Sequence, residues 1–327
     1  MQERHYDLHA CHVHASVADT ELVGALDLVL GPYKSAPASP DILLKIERCP
    51  GPPAPPHQPP RFVFPPLELR RVAGGLHLRD ATGEIEVNPI DGRIHGRIAE
   101  GAGEGDTADF ARAALWAALL ECLRARGRFP LHAASAITPT GETLLFPGTR
   151  GAGKSTLLLS LLEQGWTALS DDTVFLVPRH DALEVLPQRK RFHVRLDLLA
   201  RRPDLTALVD DHQSFDLPDK KCLRIEQHFG GRLATSAINP SRIYFCEIID
   251  APHSEVRSID CKQSLVRLLE HSCSVFFLGD LAQTHLDVLS RLANSTRAFA
   301  LRCGRDVLSA PSAYLELLAT PSRDLAA

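Results

Sequence analysis

The chain has 327 residues, 44% hydrophobic and 23% charged, the make-up of a soluble globular protein with room for two cores, which excludes collagen-like, mucin-like and wholly disordered chains. A formal net charge of −4 offers no bulk electrostatic attraction for nucleic acid. Eight cysteines lie scattered without a C-x-x-C pair, a pattern of reduced, mostly buried thiols rather than of a disulfide framework or a zinc site.

Near the start, the one apolar stretch, LVGALDLVL, is short and broken by Asp27, so neither a secretory signal nor a membrane span is expected and the protein is placed in the cytoplasm. Residues 9 to 16 alternate, with His12 and His14 on one face and Cys11 and Val13 on the other, and predict a strand. Alternation splits the cluster of His5, His9, Cys11, His12 and His14 across two faces, which favours a solvated edge over a metal site. A helix is predicted from about Asp19 to Leu30 and a strand from Ile42 to Arg48. Nine prolines then fall between Pro50 and Pro66; such a run excludes a helix or a central strand and predicts a stiff connector, residues 50–66. Four short runs follow, Leu67 to Val72, Leu76 to Leu78, Glu84 to Val87 and Arg93 to Ile98, separated by glycine turns. They predict a small antiparallel meander.

After the loop GAGEGDT, a cap at Asp106 or Thr107 opens a long helix to about Arg126, whose apolar positions include Phe110, Leu115, Leu119 and Leu123 and suit burial against a following domain. Gly127 stops it, and Pro130 opens a strand, LHAASAIT, turned at Pro139-Thr140-Gly141 into the strand ETLLF. The expected division is an N-terminal α+β domain over 1–129 and a second domain over 130–327.

The second part carries the chemistry. Gly148-Thr149-Arg150-Gly151-Ala152-Gly153-Lys154-Ser155, followed by Thr156, matches the Walker A pattern G-x-x-x-x-G-K-[ST] between a β-run and the apolar helix TLLLSLLEQG. Glycines let successive backbone N–H groups point inward around phosphates, and the new helix adds its positive end to the same anion. Lys154 would reach the terminal phosphates and Ser155 would ligate magnesium. Asp171 and Asp172 come seventeen residues after Lys154, at the end of a strand over Trp166 to Leu169 and before another over Thr173 to Val177. Two adjacent carboxylates near phosphate suit metal binding plus proton acceptance. The competing carboxylate is Asp250, at the end of the apolar strand Ile243 to Asp250, a Walker-B-like magnesium site.

His132 in PLHAASAI, GTRGAGKST over 148–156 and SDD over 170–172, with a weaker echo in FHVRLDLL over 192–199, resemble the catalytic domain of HPr kinase/phosphorylase. They are similar most of all to the HPr-kinase-related kinases of bacterial peptide-modification clusters, lasso-peptide ones included. The resemblance covers roughly Leu131 to Pro311. It implies a phosphoenolpyruvate-carboxykinase-like α/β P-loop kinase fold behind the small α+β domain, with ATP and Mg2+ as cofactors. It further implies γ-phosphoryl transfer to a hydroxyl, serine above all, of a peptide or protein. By position, Asp171 would be the base, Asp172 would assist it or ligate the metal, and His132 would support the pair's charge. Where the parent enzymes carry an acidic residue this chain has His193, and their Lys-Ser-Glu is here Lys154-Ser155-Thr156, so reverse phosphorolysis is not carried over. Lys220, Lys221, Arg224 and Arg195 are the candidate cations for the transferring group.

Two other functions stay open at this stage: a kinase for a small hydroxylated metabolite, and a nucleotide-regulated peptide-binding module or ATPase without transfer. The expected partner is a peptide or protein with a serine hydroxyl, with no nucleic acid and no membrane, and self-association into a homo-oligomer is open.

Overall fold

The computed structural model describes residues 1–51, 62–64, 67–187, 192–209, 219–234, 236, 238–272, 279–309 and 315–318. The chain is mixed α/β and separates into two compact units. One comprises Met1–Phe129 with the described residues 279–283, the other runs from Pro130 onward without that segment. Among the described residues no helix is long and apolar enough to cross a membrane.

The first unit is built on an eight-stranded mixed sheet. Its spatial order is Gln2–Asp7, His12–Val17, Ile42–Cys49, Arg93–Ala99, Gly83–Asn88, Gly75–Arg79, Leu67–Val72 and Phe62–Phe64. The last five are antiparallel neighbours, four of them the strands that the meander predicts, while Ile42–Cys49 runs parallel to both His12–Val17 and Arg93–Ala99. The meander is therefore half of a larger sheet. The strand expected over residues 9–16 begins only at His12, because His9 and Ala10 take up left-handed turn backbone (φ 58° each) after a first strand that alternation did not announce. That first strand makes His12–Val17 an interior strand rather than an edge; His14 donates or accepts at 2.6 Å from Glu3 and stacks on His5. Among the described residues, no group of three or more His, Cys, Asp or Glu side chains is placed to hold a metal.

Phe62–Phe64, inside the expected connector, pairs antiparallel with Leu67–Leu69 at the sheet's edge, the position where flanking prolines cost no ladder hydrogen bonds. The remaining connector residues, 52–61, 65 and 66, lie outside the described residues. The helix Thr20–Leu30 is capped by Asp19, whose carboxylate accepts the Leu22 N–H at 2.9 Å. The long helix starts earlier than expected, at Glu104 with Gly103 as N-cap. It runs through Glu104–Phe110, a π segment Ala111–Leu115 and Trp116–Ala125. Its apolar face is used inside this unit, where Phe110 and Leu115 join Leu22 and Leu26 against Ile46, Ile85 and Ile98 of the sheet. The same helix buries the ion pair Glu121–Arg124 at 2.7 Å, and burial pushes the Glu121 carboxyl up to about 7 against the pull of Arg124 and Arg71.

The second unit has a six-stranded sheet in the order Thr167–Ser170, Ala133–Ile137, Thr143–Pro147, Pro240–Ile248, Arg297–Cys303, Glu255–Ile259. A three-stranded sheet joins Leu183–Pro187, Val174–Pro178 and Phe129–Leu131, and a two-stranded ribbon pairs Phe192–Arg195 with Lys220–Leu223. Thr143–Pro147, Pro240–Ile248 and Arg297–Cys303 are parallel neighbours, the first buried throughout and the second along Ile243–Cys246. Phe146, Tyr244 and Phe299 stack across them with centroids 5.9 and 5.0 Å apart. The helix Lys154–Glu163 packs its leucines on this core. The seven described cysteines are all outside disulfides, five of them buried.

Two consequences position the site. The single strand expected over 131–138 is in fact two, Phe129–Leu131 in the small sheet and Ala133–Ile137 in the large one, broken at His132. Asp171 and Asp172 sit at the second such crossing, between Thr167–Ser170 of the large sheet and Val174–Pro178 of the small one. Ala133–Ile137 and Thr167–Ser170 are paired neighbours, Ser135 opposite Ser170. His132 and the carboxylates thus meet where the chain twice passes between the same two sheets.

Candidate active site

The strand Thr143–Pro147 delivers the chain into the glycine-rich loop of the Walker A pattern, and the helix starts at Lys154 with Gly153 as N-cap. Gly151 and Gly153 have φ of +87° and +85°, left-handed backbone that costs glycine nothing and any other residue a strained turn. At Gly148 a Cβ would stand 2.9 Å from Ala152 Cβ and 3.2 Å from the Cys246 carbonyl, so the close approach of loop and neighbouring strand also needs glycine. Ser155 and Thr156 occupy the first helical turn, half-buried.

Lys154 is buried, and its Nζ donates to the Gly148 carbonyl at 2.6 Å, to the Thr149 carbonyl at 3.1 Å and to His132 Nε2 at 3.0 Å. Burial pushes its pKa down from the ordinary lysine value, opposed by Asp172, Cys246 and Asp171. On its other side His132 places Nδ1 3.6 Å from Asp172 Oδ1. Asp172 is held by the Thr173 hydroxyl, which donates to Oδ2 at 3.2 Å, in a turn closed by the Ser170 hydroxyl on the Thr173 carbonyl. The two carboxylates differ in exposure. Asp171 retains only 7% of its surface, and its Oδ2 accepts the His193 N–H at 3.4 Å, whereas the Asp172 side chain is 35% exposed. The segment FHVRL therefore does reach the site, through the backbone of its first strand.

Arg150, in the middle of the loop, pairs with Asp219 at 2.9 Å, and Arg195 approaches the other oxygen of that carboxylate at 3.8 Å. The ribbon sets Arg195 opposite Lys220 and Val194 opposite Lys221, and the charge of Lys220 is felt at Lys154. Arg224 gives a guanidinium N–H to the Val209 carbonyl and serves the fold. Asp250 lies beyond the strand, which ends at Ile248; its side chain is 95% exposed and 3.5 Å from Arg305.

One residue at the site had no signal in the sequence. His271 ends the helix Cys261–Glu270, and its carbonyl accepts the His132 N–H at 2.9 Å, replacing the ladder bond lost at the strand break. Its ring packs on Phe245 at 6.2 Å. Burial, and then repulsion by His132 once it is itself protonated, by Lys154 and by Arg267, push its pKa from 6.5 down to about 4. Between those two values the unfolded chain binds a proton that the folded chain does not, so His271 contributes stability in full above pH 6.5 that is lost as pH falls toward 4. The loss should be about 1–2 kcal/mol after discounting for partial exposure. Urea midpoints followed by Trp166 in a Trp116→Phe background would report this unit, and His271→Gln should flatten their acid slope. An unchanged slope removes His271 from the acid response.

No family model and no curated protein matches the chain. Among solved structures, the Hpr(Ser) kinase/phosphatase from Coxiella burnetii is similar at a TM-score of 0.33 and 12% identity, over 59% of this chain and 89% of that one.

Proposed function

We propose that this chain is an ATP- and magnesium-dependent kinase that transfers the γ-phosphoryl group to a hydroxyl, serine first among them, of a peptide or protein. The observation that carries the reading is the line Lys154–His132–Asp172, with contacts of 3.0 and 3.6 Å, set directly on the phosphate loop. A module that only binds nucleotide needs the loop and the lysine but no carboxylate backed by an imidazole beside them.

The residues present fit the cofactor. Gly148 lets the loop lie close against the strand Pro240–Ile248, the left-handed glycines turn the loop, and the helix N-terminus adds positive partial charge. ATP with magnesium supplies the transferable phosphoryl group and offsets its charge. In this chain the loop N–H groups and Lys154 hold and orient the phosphates, and Ser155 would hold the metal. Asp172 takes the proton from the incoming hydroxyl, with His132 behind it stabilising the charge. Exposure supports that choice over Asp171: a hydroxyl can reach a carboxylate that is one-third exposed far more readily than one that is nearly buried and tied to a backbone N–H. Asp171 then braces the turn and the neighbouring strand. Arg150, Arg195 and Lys220 are the cations available to the transferring group, and the N-terminal unit is the part free to recognise the acceptor.

Purified protein, γ-labelled ATP with magnesium and a panel of serine peptides, other hydroxyl peptides and small hydroxylated metabolites test this together. Label on a serine peptide is the expected result. Transfer only to metabolites would redirect the acceptor class, and hydrolysis without transfer across the panel would replace the kinase reading by an ATPase.

A further inference from the structure

The three N–H bonds of an ammonium group can serve three acceptors, and at Lys154 three are engaged, by the Gly148 and Thr149 carbonyls and His132 Nε2. A phosphate oxygen can reach this ammonium only by taking the place of one of them. The two carbonyls belong to the loop that carries the lysine and move with it. His132 belongs to another element, pinned at the sheet crossing by its own N–H on the His271 carbonyl. The contact with His132 is the one that can be given up without unwinding the loop.

We propose that His132 is a latch on the phosphate-loop lysine, so that entry of a nucleotide phosphate pulls Lys154 off His132 and, in the same movement, frees the imidazole to serve Asp172. This rests on the nucleotide-binding reading above and goes beyond it, because it makes His132 an opponent of nucleotide binding as well as a support for the base. While Nε2 accepts from Lys154, the ring's own proton sits on Nδ1, the nitrogen 3.6 Å from Asp172 Oδ1. Once the lysine turns to phosphate, Nε2 is released, and the imidazole keeps only its Nδ1 side, 3.6 Å from Asp172 Oδ1, as a charged-group contact. By linkage, whatever holds Lys154 on His132 weakens nucleotide binding to the same degree.

The expected results have an unusual combination of signs. Calorimetric titration with MgADP should show His132→Leu binding about three- to tenfold more tightly than the native chain, the scale of one charged hydrogen bond partly repaid by water, while phosphoryl transfer falls. His132→Gln, whose amide oxygen can occupy the place of Nε2, should return the affinity to the native value. Independently of any variant, the Nε2 resonance of 15N-labelled His132 in the native chain should move on MgADP addition. A purely structural role predicts weaker or equal binding in the leucine variant and a static resonance, and either result overturns the latch. If the native chain binds no nucleotide, the functional reading and the latch fall together; if it binds and the variants rank otherwise, the latch alone falls.

Discussion

Asp172→Asn should lower the rate of phosphoryl transfer by about 10²- to 10⁴-fold, the usual contribution of a positioned proton acceptor, with MgADP affinity changed by no more than a few-fold. The amide keeps the shape and the Thr173 hydroxyl contact but cannot take a proton at neutral pH. It also withdraws the negative charge from His132, so the supporting imidazole loses its purpose at the same time. Asp171→Asn should cost less, because an amide oxygen still accepts the His193 N–H. Steady-state transfer rates and nucleotide titrations of both variants decide the assignment. The opposite ranking, with Asp171→Asn inactive and Asp172→Asn competent, would return the base to Asp171. Retained transfer in both would remove the carboxylate pair from the chemistry.

A second large effect is expected far from any chemistry. Glu121→Ala should destabilise the first unit by about 3–5 kcal/mol, the typical cost of leaving one member of a buried ion pair without its counter-charge. Both side chains are fully buried, and the pair is 2.7 Å apart on one helical face. Attraction within such a pair barely repays the loss of hydration, so deleting one partner forfeits the repayment and keeps the cost. Glu121→Gln keeps a hydrogen-bond acceptor for Arg124 and should lie between the native chain and the alanine variant. The protein has two tryptophans, Trp116 on this same helix and Trp166 in the second unit. Urea unfolding followed by Trp116 in a Trp166→Phe background therefore isolates the first unit. A shift of less than 1 kcal/mol would mean that the cavity relaxes and water reaches Arg124.

Short-range patterns were legible wherever the physics is short-range. Asp19 with the apolar spacing behind it announced Thr20–Leu30, because a side-chain cap and a helical face are both local. The alternation and glycine turns between Leu67 and Ile98 announced four antiparallel strands for the same reason. Gln2–Asp7 gave no such signal: an edge strand has only one neighbour, and its sequence QERHYD carries a single fully buried side chain, Tyr6. Phe62–Phe64 was hidden by the prolines around it, which exclude an interior strand and are tolerated at an edge. The helix start moved from Asp106 to Glu104 because Gly103, with extended backbone, caps without a side chain.

The amino-acid sequence by itself determined the glycine-rich Walker A loop, the helix that follows it, and a carboxylate pair at a strand end a fixed distance downstream. Each of these depends on backbone freedom and neighbours within a few residues, so a local pattern encodes it fully. Tertiary structure alone decided that His132 touches both Lys154 and Asp172, that Asp171 is buried while Asp172 is not, and that the end of the helix Cys261–Glu270 supports His132 from below in the sequence. Those relations follow from the chain crossing twice between two sheets and from a helix terminus brought back to the first crossing. Pairing of strands remote in sequence sets such distances, and no spacing within one segment records them.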